Sequence, residues 1–505
     1  MLLGTGSIAL FSLGVRAQQP VDTIQTYSRL VILDVRVVDA KGNFVPNLDR
    51  SQFTVLEDKV PQTIRNFEAP VDRADRPARI VHSTADLKKT GDAPVNVLVI
   101  DELNTAFADT ARAQQAMRRF LESQPETLPV PTLFIASGAS RIAVLHDFTQ
   151  SREELLQGLK QHVTDVDFRA LSNQLAGGTM SATSGFTKTL GALLQLANSL
   201  RGIPGRKNVI WVGSGFDNAY DLTSAGTNDG QKILDAVRLV TQRMMESRIS
   251  LSTLDPTGPG VIKGLSDDDT EAELLVSGGP NTFSDFSINI SFDELADSTG
   301  GTVVRGRNDL DHLIGQSTGD ANNYYTLTYV PSSDSSEAAP YRKISIIMKD
   351  PSLRAFTRTG YFSGGAKEAP VVPDKPKLQT REFKYDMLSA GGSRMVYTGL
   401  HVGAKPVVDG FSIMVQAGDL QWNQQDDGTR VAEVSILTGA FNGKDKTLLQ
   451  QAMEYKQRIQ YSDNVREKLV SFHVLFRPPQ GTTRTRFVVR DAATGKIGSA
   501  DLLNK

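Results

Sequence analysis

The sequence has no cysteine in 505 residues. That excludes disulfides, thiolate metal sites and cysteine nucleophiles together. Histidine is sparse as well. His82, His146, His162, His312, His401 and His473 are scattered, and no two stand at His-x-x-x-His spacing, so the helical zinc signature is missing. No charge sign dominates: 55 basic against 57 acidic residues leave a net charge of −2. There is therefore no electrostatic case for nucleic acid or an anionic membrane as partner. Neither a Gly-x-Ser-x-Gly elbow nor a Walker loop occurs. Gly258-Pro-Gly260 is not followed by a tight turn into a helix. The longest apolar run, at the start, falls short of the ~18 residues of a membrane span.

That run spans Leu2 to Val15, and Val15-Arg16-Ala17 suits cleavage after Ala17. It reads as a secretory signal peptide over residues 1–17, although the usual basic start is missing. The expected destination is the periplasm or the exterior, with no membrane span in the mature chain. Export without disulfides requires domains large enough to stand on their own cores. The length implies roughly three of them.

Residues 23–68 carry strand signals: in Leu33-Asp34-Val35-Arg36-Val37, apolar and charged residues alternate as in a half-buried strand. Residues 69–93 read as a linker. From 94 to 320 strands and helices alternate, the pattern of a mainly parallel sheet covered on both faces. Ser151-Arg-Glu-Glu154 has the form of a capping box. Residues 256–290, with the run Asp267-Asp268-Asp269, show no clear element; a loop of that length is usually functional or disordered. Strand patterning returns over 321–363. Neither flanking β piece can bury a core alone, so the economical solution is one β-sandwich interrupted by the α/β block. A proline-rich linker, 364–379, leads to a second β domain, 380–505. The fold class expected is thus multidomain α/β plus all-β, a Rossmann-like doubly wound domain inserted in a β-sandwich and followed by a C-terminal β-sandwich domain.

The run Val95-Asn-Val-Leu-Val-Ile-Asp101 reads as a strand buried on both faces that stops on a carboxylate. In open α/β sheets, ligands bind where strands end and helices begin. Together with Val45-Pro-Asn-Leu-Asp-Arg-Ser-Gln-Phe-Thr-Val-Leu-Glu-Asp58, Gly205-Arg-Lys-Asn-Val-Ile-Trp-Val-Gly-Ser-Gly215, Ala296-Asp-Ser-Thr-Gly-Gly301 and Arg358-Thr-Gly-Tyr361, this segment resembles the von Willebrand factor A-related proteins common in acidobacteria. The resemblance covers about 28–363. It implies a divalent cation held by three loops at the C-terminal edge of the sheet, in a first loop Asp-x-Ser-x-Ser, a threonine and an aspartate. Asp101 and Thr105 match the first loop, but Leu103 replaces its first serine. Thr187 stands in the second. Ser214 stands where the third needs an acid, with Asp217 three residues on. One carboxylate and three hydroxyls make a weak site for Mg²⁺ or Ca²⁺, which prefer several charged oxygens. The other reading of Asp101 and Thr105 is that they hydrogen-bond their own loop and cap the next helix.

The resemblance implies adhesion or assembly rather than catalysis, through a protein or cell-surface ligand, with no cofactor required. A metal-dependent hydrolase or carbohydrate-active enzyme, using Asp101 and the acidic loop, is the alternative. A third reading places binding on the C-terminal β domain. Loops after the parallel strands should converge at one edge, where helix N-termini favour acidic partners and residues 255–290 would act as a lid.

Overall fold

A computed structural model of the chain describes residues 30–70, 80–90, 94–138, 142–164, 182–216, 227–258, 291–331, 341–362, 386–425, 429–460 and 468–504. The expected signal peptide, the proline-rich linker and most of the 255–290 segment lie outside them.

The first strands are β1 (Val31–Val38), β2 (Phe53–Glu57), β3 (Val60–Gln62) and β4 (Ile64–Glu68). Helix α1 (Thr84–Thr90) precedes an alternating block: β5 (Val95–Asp101), α2 (Phe107–Ser123), β6 (Thr127–Ser137), β7 (Ile142–Ser151), α3 (Arg152–Gln161), α4 (Ala182–Leu200), β8 (Lys207–Val212), α5 (Thr227–Glu246), β9 (Ile249–Leu254), α6 (Phe292–Ser298), β10 (Val303–Val304) and α7 (Leu310–Gly319). Four strands close this half: β11 (Tyr325–Tyr329), β12 (Tyr341–Met348), β13 (Arg354–Phe356) and β14 (Gly360–Phe362).

Strands from the two ends of this stretch pair with each other. One sheet runs β13-β1-β11-β4 and another β14-β12-β2-β3. Leu33 lies opposite Leu327, and Val55 opposite Ile346. The alternation in β1 is the cause: Val31, Leu33, Val35 and Val37 point inward to one core with Phe53, Val55, Tyr325 and Ile344. A β-sandwich is thus assembled from segments nearly 300 residues apart in sequence.

The central sheet has the order β10-β9-β8-β5-β6-β7, parallel except for the antiparallel edge strand β7. Strands β5, β8 and β9 are buried along their whole length because each face has its own core. In β5, Val95, Val97 and Val99 enter the core beneath α4, α5 and α6, while Leu98 and Ile100 enter the one beneath α2, α3 and α7. The capping box expected at Ser151 forms only in part. Ser151 accepts from Glu154 N at 3.3 Å, but the Glu154 carboxylate is taken by Thr149 at 2.5 Å. The reciprocal box forms instead at Ser291 and Glu294, opening α6.

The tail folds as β15 (Val402–Val407), β16 (Gly410–Gln416), β17 (Asn423–Gln424), β18 (Thr429–Phe441), β19 (Thr447–Gln460), β20 (Leu469–Val474), β21 (Arg484–Asp491) and β22 (Ile497–Leu503). Its two sheets enclose a core that includes Ile413, Phe472, Ile436, Phe487 and Val489. Part of the outer face of its larger sheet is also buried. Leu437, Val488 and Ile497 join the core of the α/β block beside α4. Helix α4 therefore lies between two sheets, which explains why nearly every residue from Thr189 to Leu200 is buried. Gly202, just past α4, sets the approach. A Cβ there would stand 1.6 Å from the Thr398 carbonyl oxygen. The Thr398 hydroxyl accepts from Gly202 N at 3.0 Å and donates to the Ser199 carbonyl at 2.6 Å. The tail is thus seated on the α/β block and shares its core.

Candidate functional site

Strand β5 delivers Asp101 to the C-terminal edge of the central sheet, fully buried. Four backbone or side-chain donors converge on it. Its Oδ1 accepts from Leu103 N at 3.0 Å and Asn104 N at 3.1 Å. Its Oδ2 accepts from Gly215 N at 3.0 Å and from Trp211 Nε1 at 3.2 Å. The Asn104 amide lies 3.5 Å from the same oxygen. Burial raises the Asp101 carboxyl above its usual range, and the donors offset that only in part.

The neighbouring loops are tied to the same point. Thr105 Oγ1 accepts from Ser214 N at 3.0 Å. Asn104 Nδ2 donates to Thr189 Oγ1 at 2.8 Å, fastening the first loop to α4. Gly213 is required by this closeness: a Cβ there would stand 2.3 Å from Asp101 Cβ and 2.6 Å from Thr105 Oγ1. Beneath the loops Trp211 packs edge-on to Phe292 with centroids 5.3 Å apart. Phe216 lies 5.2 Å from Phe292 and 4.8 Å from Phe186.

Of the four residues singled out in the sequence, Asp101, Thr105 and Ser214 come together here and are all buried. Thr187 is exposed, and Thr189, two positions later, accepts from Asn104 of the first loop. A hard dication needs oxygen lone pairs facing a common point. Both Asp101 oxygens instead face N–H donors, Leu103 supplies no ligand atom, and the Thr105 hydroxyl is engaged by a backbone amide. That leaves a single carboxylate, fewer charged oxygens than Mg²⁺ or Ca²⁺ prefers. Among the described residues no group of three or more His, Asp or Glu is placed to hold a metal ion.

Two features of this edge were not singled out in the sequence. Asn104 and Trp211 are the side chains that bind Asp101 to its surroundings; the signal available was an Asn inside the first loop and a Trp at the end of the next buried strand. Phe107 opens α2 directly after the Asp101 loop and is 65% exposed. Nearby, the Glu102 carboxylate is buried against His162 Nε2 at 2.7 Å and receives Gln114 Nε2 at 3.3 Å. At the far end of the edge, Asp293, Glu294 and Asp297 occupy α6. Arg305 bonds Asp293 at 2.7 Å. Asp297 is pushed up to about 6 by desolvation, then by Asp293 and Glu294. The edge therefore carries acidic groups as well as helix N-termini, and its α6 end does not favour acidic partners.

No protein-family model matches the chain, and no curated protein matches it. Among solved structures the chain is similar to the von Willebrand factor domain of the type V pili tip protein Mfa5 from Porphyromonas gingivalis. Identity is 18%, over 27% of this chain and 44% of that one, with a TM-score of 0.19. The matched stretch is thus less than half of that chain, too limited a likeness to bear on function. No helix among the described residues is long and apolar enough to cross a membrane.

Proposed function

We propose that the chain is an exported interaction module of the adhesion or assembly kind. Its binding platform is the loop edge of the central sheet, held rigid by hydrogen bonds rather than by a cation. The observation that carries this reading is the use of Asp101: both carboxylate oxygens are spent on tying the 101–105 and 213–215 loops together. Such a platform is preorganised, which lowers the ordering cost of binding. Phe107 supplies an exposed aromatic at its margin, the residue class that anchors protein interfaces. The ligand class that fits is a protein or cell-surface structure, recognised without metal.

The test is site-directed photo-crosslinking of the full chain on the cells that produce it. A crosslinker at Phe107 probes the loop edge, and one at Val408, fully exposed in the β15–β16 turn, probes the tail. Adducts from position 107 that persist in chelator support the proposal. Adducts from 408 alone transfer binding to the C-terminal β domain. Adducts abolished by chelator restore a cation to the site.

A further inference from the structure

Strand β19 forms one edge of the larger sheet of the tail. It pairs with β18 along its length, from Thr447 opposite Phe441 to Gln460 opposite Thr429. Among the described residues no strand pairs with its other edge. Outside the β18 ladder, no backbone group of residues 447–455 bonds another described part of the chain. The one irregularity of the ladder lies between Ala440 and Phe441, at the start of β19; from Leu449 onward it is regular.

Folded proteins blunt such an edge with proline, lysine, a bulge or a covering segment. Residues 449–455, Leu-Gln-Gln-Ala-Met-Glu-Tyr, contain no proline or lysine, and the ladder there has no bulge. Residues 447–450 and 452–454 are exposed, Leu449 at 42% and Met453 at 43%, so both faces of the strand are open to solvent. The Tyr455 ring turns inward and packs edge-on to Phe472 at 5.8 Å. An unpaired row of N–H and C=O groups is a template for another extended strand.

The sequence of β19 indicates which strand. When two copies of one strand pair antiparallel, the two-fold axis passes through a residue, because residues directly opposite share a face and faces alternate with period two. A centre at Glu454 or Lys456 sets like charges opposite each other, which is destabilising. A centre at Gln457 sets Lys456 opposite Arg458. Centres from Gln451 to Met453 bring no opposite charges together and draw in the irregular start. A centre at Tyr455 sets Glu454 of each copy opposite Lys456 of the other, with Arg458 diagonal to Glu454. That register spans 450–460, clear of the irregular start.

We propose that the chain forms a two-fold dimer by antiparallel pairing of β19 with β19 of a second copy, centred on Tyr455. The two larger tail sheets then run on as one.

The test uses the full chain. Sedimentation velocity over a dilution series should show a monomer–dimer equilibrium for wild type. Glu454→Lys, at an exposed position, turns both attractive pairs repulsive and should weaken the dimer at least about tenfold. The register is read separately by disulfide trapping. The chain has no cysteine, so a single Tyr455→Cys can bridge only to the same position of a second copy. Opposed residues in an antiparallel pair have Cα atoms about 4.5–5.5 Å apart, within the span of a disulfide, so mild oxidation should give a covalent dimer. Gln450→Cys together with Gln460→Cys leaves the Tyr455 ring in place and should also be trapped, whereas either alone should not. A wild type that sediments as a monomer throughout would overturn the proposal and leave the edge to a foreign strand or to none. So would a dimer that Glu454→Lys leaves intact and neither cysteine arrangement traps.

Discussion

Trp211 donates its indole N–H to Asp101 Oδ2 at 3.2 Å across neighbouring parallel strands. The pairing follows from register: Val99 stands opposite Trp211, which places the indole two residues below the end of β5, within reach of its last carboxylate. The carboxylate at the end of β5 thus acts as a strut between the two loops.

The strut has a measurable worth. Asp101→Ala removes the acceptor for four donors buried with it, and the expected loss is about 3 kcal/mol or more in chemical denaturation. Trp211→Phe keeps the ring and removes one donor, so its loss should be about 1 kcal/mol. Equal and negligible losses in the two variants would show that the loops do not depend on Asp101.

Metal dependence follows from the same geometry. Wild type should show the same unfolding midpoint in chelator and in Mg²⁺. Leu103→Ser with Ser214→Asp adds ligand oxygens, and further replacement Trp211→Phe relieves Asp101 Oδ2 of one of its donors. Calorimetry should show Mg²⁺ affinity rising from wild type to the double variant and again to the triple variant. Micromolar binding by wild type would sink this account.

The junction with the sandwich should be acid-sensitive. Burial pushes the Asp34 carboxyl up, but the charge and hydrogen bonds of Arg248, with Arg206 and Thr326, outweigh it and hold it below its usual value of 3.8. A folded-state value below the unfolded one means that the stabilisation is fully present above about pH 4 and is lost as pH falls through the folded value. Asp34→Asn should remove about 3 kcal/mol at neutral pH by replacing the carboxylate that faces Arg248 with a neutral amide. It should also flatten the acid limb of the stability profile. An unchanged limb would assign acid sensitivity elsewhere.

The tail should not be removable. Leu437, Val488 and Ile497 cover α4, so truncation at 380 is expected to yield a soluble fraction that binds hydrophobic dye or aggregates. Gly202→Ala drives a methyl into the Thr398 carbonyl and should cost about 1–3 kcal/mol in the full chain. A truncated protein that stays monomeric and dye-silent would show that the tail stands apart.

Strand β5 was legible from its sequence because seven consecutive buried residues between polar segments admit little else, and β1 because its alternation of period two leaves only one face to bury. Local composition also marked Asp101 as the end of a strand and Leu103 as a residue that cannot ligate. The role of Asp101 was not legible. It depends on Gly215 and Trp211, more than a hundred residues away, and a carboxylate's partners are chosen by which loops the sheet order brings together. Likewise the resemblance pointed to Thr187, whereas the contact of Thr189 with Asn104 depends on how α4 packs beside the first loop. The tail was recognisable as β structure from its turns and alternation. Its seating on α4 was decided only in three dimensions, because a strand such as β21, apolar on both faces, records that each face is covered and not by what. Periodicity is a property of neighbouring residues and survives in one dimension; partnership between distant segments is set by packing, and it is packing that made Asp101 a strut.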